Sequence, residues 1–353
     1  MSLVTDSDLL FAFAFWAGAT ALSIAVALVA CILVLRLGLT LRMYREARFV
    51  LRWRPRLLEA IDQVPATLPA VKRGDWFAFL ALWNHFQESL RGAARHRLRA
   101  VMLKLRMDVA AREMLKSRSI RERLMSVITL GHLGDQESWP ALERLAHGPH
   151  TLLSLAAARA LLLIDPVRAL NALLPELSER PDWPVPRLEA MLSETGPAAV
   201  SAPLAAAVDR TPSAQLPKLI ALLDAAHAKH VRPKLRELLQ TSHDPDVLAA
   251  CLKSRHLPLE RVLIRPCTHH ESWQVRTQAA SAMARVAQPG DEKLLAGMLK
   301  DPVWWVRYRA AQALAALPFL TRDDLWRLRF VVTDRFAQNM LDQVVAERGT
   351  TRA

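Results

Sequence analysis

The sequence predicts an all-α protein, in which a single N-terminal transmembrane helix is followed by an α-solenoid of about seven helical hairpins. Two observations predict this fold class. The stretch from Leu9 to Leu35 contains no charged side chain, and apolar positions recur at a regular interval after residue 117. An α-helix rises about 1.5 Å per residue, so the uncharged stretch is long enough to cross a hydrocarbon core of about 30 Å.

The charges around this stretch predict its orientation. No Lys or Arg precedes it, whereas Arg36 and six more arginines follow it up to Arg56. Because basic residues concentrate on the cytoplasmic side of membrane helices, we expect residues 1–8 outside, a transmembrane helix over 9–36 in the inner membrane, and a cytoplasmic C-terminal domain. A cleaved signal peptide would need a basic start, and a buried helix of a soluble core is usually shorter and has a polar face.

The net charge of +13 lies mainly beside the membrane. Residues 36–123 hold 20 basic and 8 acidic side chains, whereas residues 124–353 hold 27 and 24. Anionic lipid headgroups attract such a cluster by about 1 kcal/mol per basic residue, so we expect them as partners. A nucleic-acid partner is not expected, because the repeat region is close to neutral.

Residues 37–64 are predicted to form a basic juxtamembrane amphipathic segment that breaks near Pro55. Its apolar side includes Phe49, Trp53 and Leu57. It either lies in the headgroup plane or continues as a coiled stalk, and the sequence leaves both open. In the first case the lipid contacts are Arg42, Arg45, Arg48, Arg52, Arg54 and Trp53.

Residues 65–116 are predicted as a helical cap or linker, and residues 117–348 as the solenoid with its C-terminal capping helix. The cap consists of two helices joined at Gly92, and the aromatic residues of the first are expected to cover the first hairpin. The capping helix is expected to start at Thr321, whose following acidic residues favour a helix N-terminus, and to run to about Val345.

The internal repeat is carried by two series of apolar positions. The first series lies near the ends of the predicted first helices, and the second lies in the second helix of each repeat. A period of about 30 residues with two helices per unit is typical of an α-solenoid. The two series are Leu130, Leu161, Leu192, Leu223, Leu252, Met283 and Leu314, and then Leu142, Leu173, Leu204, Leu235, Ile264, Leu295 and Trp326.

Three segments resemble HEAT repeats, in particular the short variety found in phycobilisome-lyase-type proteins of bacteria. They read RLMSVITLGHLGD at 123–135, VRTQAASAM at 275–283 and VRYRAAQAL at 306–314. The resemblance covers about residues 117–330 and is weaker in the middle repeats. It implies a curved right-handed stack used for protein contacts and no particular reaction.

The same resemblance implies roles for a few residues. Arg123, Arg276 and Arg307 stand at equivalent positions, where such arginines pair between repeats with acidic residues such as Asp301. Trp273 and Trp304 are also equivalent, which suggests a packing role in the repeat, whereas Trp305 has no counterpart and is expected as an exposed partner contact.

No catalytic motif is present in the sequence, so no cofactor or small-molecule substrate is expected. There is no glycine-rich phosphate loop, no Gly-x-Ser-x-Gly and no His-Glu-x-x-His. Two histidines at His227 and His230 are too few for a metal site, and the group Cys251, Cys267, His269 and His270 lacks the spacing of a zinc site.

These observations favour a non-catalytic, membrane-tethered scaffold that binds a membrane-associated protein, for example a component of an envelope or polysaccharide biosynthesis complex. Two alternatives remain open. One is an enzyme on a HEAT-like framework, of the bilin lyase or DNA glycosylase type. The other is a peripheral sensor of anionic lipids that acts through the arginine cluster.

Overall fold

The computed structural model describes residues 3–258, 260–331 and 335–350, and every regular element in these ranges is a helix. The side chains of residues 3–12, 14, 21, 39, 42, 322, 331, 345 and 347–350 lie outside the description. The helices are α1 (Leu3–Asp62), α2 (Trp76–Ser89), α3 (Ala93–Lys104), α4 (Met107–Met114), α5 (Ile120–Leu133), α6 (Trp139–Ala146), α7 (Thr151–Ile164), α8 (Pro166–Glu179), α9 (Val185–Thr195), α10 (Pro197–Val208), α11 (Leu216–Leu222), α12 (Ala228–Thr241), α13 (Pro245–Lys253), α14 (Arg261–Ile264), α15 (Trp273–Val286), α16 (Glu292–Met298), α17 (Trp304–Ala316), α18 (Arg322–Val331) and α19 (Arg335–Thr350).

The chain divides into two compact units, Met1–Leu133 and Gly134–Ala353. Helix α5, which the sequence assigns to the first repeat, lies in the first unit because its buried side packs on α2 and α4. Asn84 of α2 donates a hydrogen bond to the Thr129 hydroxyl of α5 over 2.9 Å. The predicted solenoid boundary at residue 117 therefore differs from the observed division of the chain.

Helix α1 is continuous over 60 residues and passes through Pro55, so the predicted break near this proline is wrong. Proline removes one helical hydrogen bond. The helix continues because Phe49, Trp53, Leu57 and Ala60 lie along one side of it and are buried against α2 and α3. Tertiary packing of an apolar face supplies most of the stability of protein helices.

The described side chains of α1 from Phe13 to Met43 have no such packing. The large apolar side chains among them are 56% to 75% exposed. Among the described residues, α1 is the one helix that is long and apolar enough to span a membrane.

The rest of the first unit is built around the aromatic side chains of α2. Phe79 and Trp83 are fully buried, and the Trp83 indole donates to the Leu98 carbonyl over 2.9 Å. The second helix predicted for this segment is in fact two, α3 and α4. They are separated at Arg106, whose left-handed backbone conformation (φ 56°, ψ 29°) ends the helical path.

In the second unit, helices α7 to α18 form successive pairs arranged in two layers. The first helices of the pairs, α7, α9, α11, α13, α15 and α17, pack on one another in chain order. The second helices α8, α10, α12 and α14 do the same. Such stacking of neighbouring hairpins is the arrangement of a helical repeat solenoid.

The predicted apolar series form the core of this stack. All seven residues of the first series are at most 1% exposed, as are the first six of the second series. The seventh, Trp326, is 42% exposed, so its predicted core position is wrong. Helix α18 instead buries Leu325, because the sequence register shifts by one position in the last pair.

The end of the stack is covered by α19, whose Ala337, Met340, Leu341 and Val344 are buried and which packs on α17. The single long helix predicted from Thr321 is described as two helices, α18 and α19, on either side of residues 332–334. The start of α18 is capped reciprocally, because the Thr321 hydroxyl donates to the Asp324 carboxylate over 2.6 Å and accepts from the Asp324 amide over 3.2 Å.

Candidate interaction sites

Arginines of α1 line a cavity of about 510 Å³ in the first unit. Arg45, Arg48, Arg52 and Arg56 follow one another at helical i, i+3 or i, i+4 spacing, so they lie along one side of the helix. We call this site the arginine cavity; it is lined by Arg45, Arg48, Phe49, Arg52, Trp53, Arg56, Pro69, Ala70, Lys72 and Asp75.

The charges of the arginine cavity are poorly balanced. Among the described residues of its lining, Asp75 is the one acidic residue, and its carboxylate lies 4.0 Å from the Arg45 guanidinium. No described acidic side chain pairs with Arg48 or Arg52. Arg56 donates to the Arg52 carbonyl over 2.7 Å, which satisfies one guanidinium nitrogen without neutralising its charge.

The predicted lipid contacts are distributed unevenly around α1. Arg45, Arg48 and Arg52 are exposed and line the cavity, and Arg54 is exposed but lies outside the lining. The side chain of Arg42 lies outside the described residues. Trp53 requires a correction: it is 3% exposed and packs on Phe79 with ring centroids 5.1 Å apart, so its ring belongs to the core of the unit and does not face headgroups.

In the second unit, Arg276 and Asp301 form an ion pair between consecutive repeats. The guanidinium of Arg276 donates to the two carboxylate oxygens over 2.7 Å and 3.1 Å, and both side chains are at most 15% exposed. Arg276 also donates to the carbonyls of His270 and Glu271 over 2.9 Å and 2.7 Å. It therefore fixes both the loop before its own helix and the start of the next repeat.

The other two arginines of the predicted set behave differently. Arg307 donates to the carbonyls of Asp301 and Pro302 over 2.7 Å and 3.0 Å, which repeats the loop contact of Arg276 one unit later. Its guanidinium lies 5.7 Å from the Phe336 ring centroid. Neither Arg307 nor Arg123 forms an ion pair with described residues of its own unit.

An exposed aromatic group lies at the start of α17. Trp304 stacks on Tyr308 at 5.0 Å and meets Trp305 edge to face at 4.7 Å; we call these three residues the aromatic patch. Trp304 and Trp305 are 41% and 51% exposed, and the equivalent Trp273 is 39% exposed. The packing role predicted for Trp273 and Trp304 is thus at most partial.

Phe336, which is 68% exposed and lies one repeat period after Trp305, was not among the predicted contacts. The repeat register itself would have identified it. A groove of about 660 Å³ was also missed, because its lining combines loop residues with the side of α16. It is lined by Thr268, His269, His270, Glu271, Arg276, Lys293, Leu294, Gly297, Met298, Lys300, Asp301 and Pro302.

A second connection between repeats surrounds Asp182. Hydrogen bonds from Arg180 and then from Thr151 hold the pKa of the Asp182 carboxyl well below its usual range. Arg180 donates as well to the Gly148 carbonyl over 2.8 Å, and the buried Trp183 indole donates to the Ser154 hydroxyl over 3.0 Å. These contacts make the segment a structural link.

The weak candidates for metal or nucleophilic chemistry differ in burial and protonation. Burial, with a smaller contribution from Cys267, raises the pKa of the Cys251 thiol to about 12, so this thiol is neutral near pH 7. His269 is exposed, whereas both cysteines are buried. Among the described residues, no group of three or more His, Cys, Asp and Glu side chains is placed to hold a metal ion.

Residues 261–326 match the family model of HEAT repeats. The matched segment runs from α14 into α18 and therefore includes the Arg276–Asp301 ion pair and the aromatic patch. The match supports a HEAT-repeat protein, and HEAT repeats commonly mediate protein–protein interactions. Comparison with curated proteins finds no match.

Proposed function

We propose that this chain is a membrane-anchored scaffold: α1 crosses the inner membrane with its N-terminus outside, and the cytoplasmic repeats bind a membrane-associated protein. The proposal rests on one observation. Helix α1 leaves its uncharged N-terminal part without packing and then buries Phe49, Trp53 and Leu57 in a folded unit. A single rigid element thus connects an apolar surface to the body of the protein.

A lipid bilayer would bury the exposed apolar part of α1 on every side. Apolar patches on soluble monomers rarely exceed a few hundred Å². The described large side chains from Phe13 to Leu35 are exposed and uncharged around the whole circumference of the helix, whereas a helix that packs on one partner has one apolar stripe. Hydrocarbon covers all sides at once.

The arginines that follow support the proposed orientation and a contact with anionic headgroups. Arg45 and Arg48 lie about 14 Å and about 18 Å beyond Arg36 along a straight helix, and long arginine side chains extend toward the bilayer surface. Exposed basic side chains at this distance from a membrane attract anionic lipids. The positive charge also retains this side of α1 in the cytoplasm.

The aromatic patch supports a protein partner for the repeats. Tryptophan and tyrosine are enriched among residues that dominate interface energies, because they bury a large area and lose little conformational freedom. Trp305 is half exposed in a repeat that matches the HEAT family model. We therefore place the partner contact at Trp305 and at the exposed Phe336, whose ring centroid lies 5.7 Å from the Arg307 guanidinium.

Site-specific crosslinking tests the scaffold function. A photoreactive amino acid replaces Trp305 in the full-length chain, and a second variant carries it at Leu152, an apolar side chain that is 62% exposed in α7. After irradiation in native membranes, position 305 is expected to give one discrete adduct that mass spectrometry identifies as a membrane protein, and position 152 none. Equal adducts at both positions, or none at 305, would contradict the proposed contact.

A further inference from the structure

We propose that the arginine cavity binds a ligand that carries two or more phosphate groups and extends along α1 away from the bilayer. This inference makes the proposed contact with anionic headgroups specific, and its membrane part rests on the proposed function. Three features of the cavity support this inference: its charge, its shape and its length along the helix.

The excess positive charge of the cavity favours binding of an anion with several negative charges. Four arginines and Lys72 face a single carboxylate, that of Asp75. Like charges at neighbouring positions on one helix face destabilise the helix, so an anion bound between them relieves repulsion. A phosphate monoester carries a charge of about −1.5 to −2 at pH 7, so one phosphate neutralises fewer than half of the five cations.

The chemistry of the lining favours phosphate. The planar guanidinium group matches two oxygens of a phosphate at once, and arginine is enriched wherever such bidentate recognition occurs. The cations surround a concavity, since buried Phe49 and Trp53 form part of its wall and Pro69 and Ala70 close it. Its volume of about 510 Å³ lies in the range of about 300–1,000 Å³ typical of small-molecule sites.

The length of the site argues against an ordinary headgroup with one phosphate. Arg45 and Arg56 are separated by about 16 Å along the helix axis. The polar layer of one leaflet is only about 5–7 Å thick. A single phosphate in that layer reaches at most the arginines nearest the membrane. The ligand is therefore either a lipid whose phosphates project into the cytoplasm or a free polyphosphate compound.

Two binding measurements on the full-length chain distinguish these sources. In nanodiscs of phosphatidylcholine, inorganic tripolyphosphate and inorganic phosphate are titrated by calorimetry. In nanodiscs of equal total charge, a phosphatidylinositol monophosphate, whose second phosphate sits on a ring that projects beyond the glycerophosphate, is compared with phosphatidylinositol, which has one phosphate, and native mass spectrometry measures the lipid that remains bound. Arg52→Gln is the test variant, and Arg54→Gln, on the same helix but outside the lining, is its matched control.

We expect one binding site per chain. It is expected to bind the two-phosphate or three-phosphate probe at least about tenfold more tightly than the one-phosphate counterpart. Arg52→Gln is expected to weaken binding about tenfold, and Arg54→Gln less than about twofold, because Arg52 lines the cavity and Arg54 does not. Saturable tripolyphosphate binding without selective lipid retention identifies a soluble ligand, and selective retention of the phosphatidylinositol monophosphate identifies a lipid.

If both variants weaken the affinity for the probes equally, the attraction is diffuse and the proposal is overturned. It is also overturned if the wild-type chain binds neither tripolyphosphate nor the lipid saturably. Membrane anchoring is scored separately by carbonate extraction of the same variants. If the wild-type chain itself is extracted, the proposed anchor fails, and the tripolyphosphate titration still tests the cavity.

Discussion

Arg276 shows how one side chain can hold two repeats in register. It donates to both carboxylate oxygens of Asp301 and to two carbonyls of its own loop, and its exposure is 15%. A largely buried charge needs such a complete set of partners, because removing one partner leaves the other desolvated and unpaired. The intact pair fixes the alignment of α15 and α17, and breaking it is costly because one buried charge is left without its partner.

We expect Arg276→Ala to lower the free energy of unfolding by about 3 kcal/mol, because Asp301 then stays buried without its cation. Urea titration of the full-length chain in detergent, followed by far-ultraviolet circular dichroism, measures the loss. Arg236→Ala is the matched control: it removes an Arg–Glu260 pair whose side chains are 46% and 42% exposed. Its loss is expected to be much smaller, since exposed ion pairs contribute little. Equal losses would refute the role of burial.

Among the helices, α1 has a surface that changes along its length. Its described large side chains from Phe13 to Leu35 are uncharged and exposed on all sides, whereas beyond Arg45 one side is apolar and packed and another holds the arginine cavity. Trp53 lies where the packed side meets the arginine cavity, because it packs on Phe79 and also lines the cavity. The packing of α1 on α2 thus determines where the arginines are held.

Trp53→Ala is expected to destabilise the packing of α1 on α2 by about 3–5 kcal/mol, the usual loss for a large aromatic residue in a core. Hydrogen exchange of the α2 amides in the full-length chain measures this, and their exchange is expected to accelerate markedly. Leu51→Ala, at a position that is 75% exposed on the same helix, is expected to change the stability by less than about 0.5 kcal/mol. Unchanged exchange in Trp53→Ala would contradict the observed core position.

The sequence was sufficient to predict the repeat core but not the surroundings of the membrane-proximal segment. Periodicity predicted Leu161 and Leu295 correctly, because in a solenoid each residue is buried by neighbours at fixed sequence distances. The burial of Trp53 depends on α2, which is not periodic with α1, so an interfacial position was the natural expectation. The predicted core position of Trp326 was wrong because a terminal repeat need not keep the register of the interior repeats.

The arginine cavity was predicted only in part for the same reason. The spacing of Arg45, Arg48 and Arg52 along one side of a helix was visible in the sequence. Lys72 and Pro69, which complete the cavity, come from a loop whose path is determined by tertiary packing. Pro55 misled the prediction because packing of the apolar side outweighs the loss of one backbone hydrogen bond.

The whole chain combines two units that we propose have separate functions. The first unit contains the helix that we propose as the anchor and the arginine cavity, and the second contains the repeats with the aromatic patch. Attachment to a bilayer raises the effective concentration of a binding surface toward other membrane proteins. A moderate affinity at the aromatic patch is then sufficient for a stable complex.

Protease protection of the full-length chain in membrane vesicles tests the central claim most directly. In inside-out inner-membrane vesicles, added protease is expected to digest the repeats and to leave a protected N-terminal fragment that ends shortly after Arg36. In right-side-out vesicles the repeats are expected to stay intact. Repeats that resist protease in inside-out vesicles, or that leave the membrane on carbonate washing, would contradict the account.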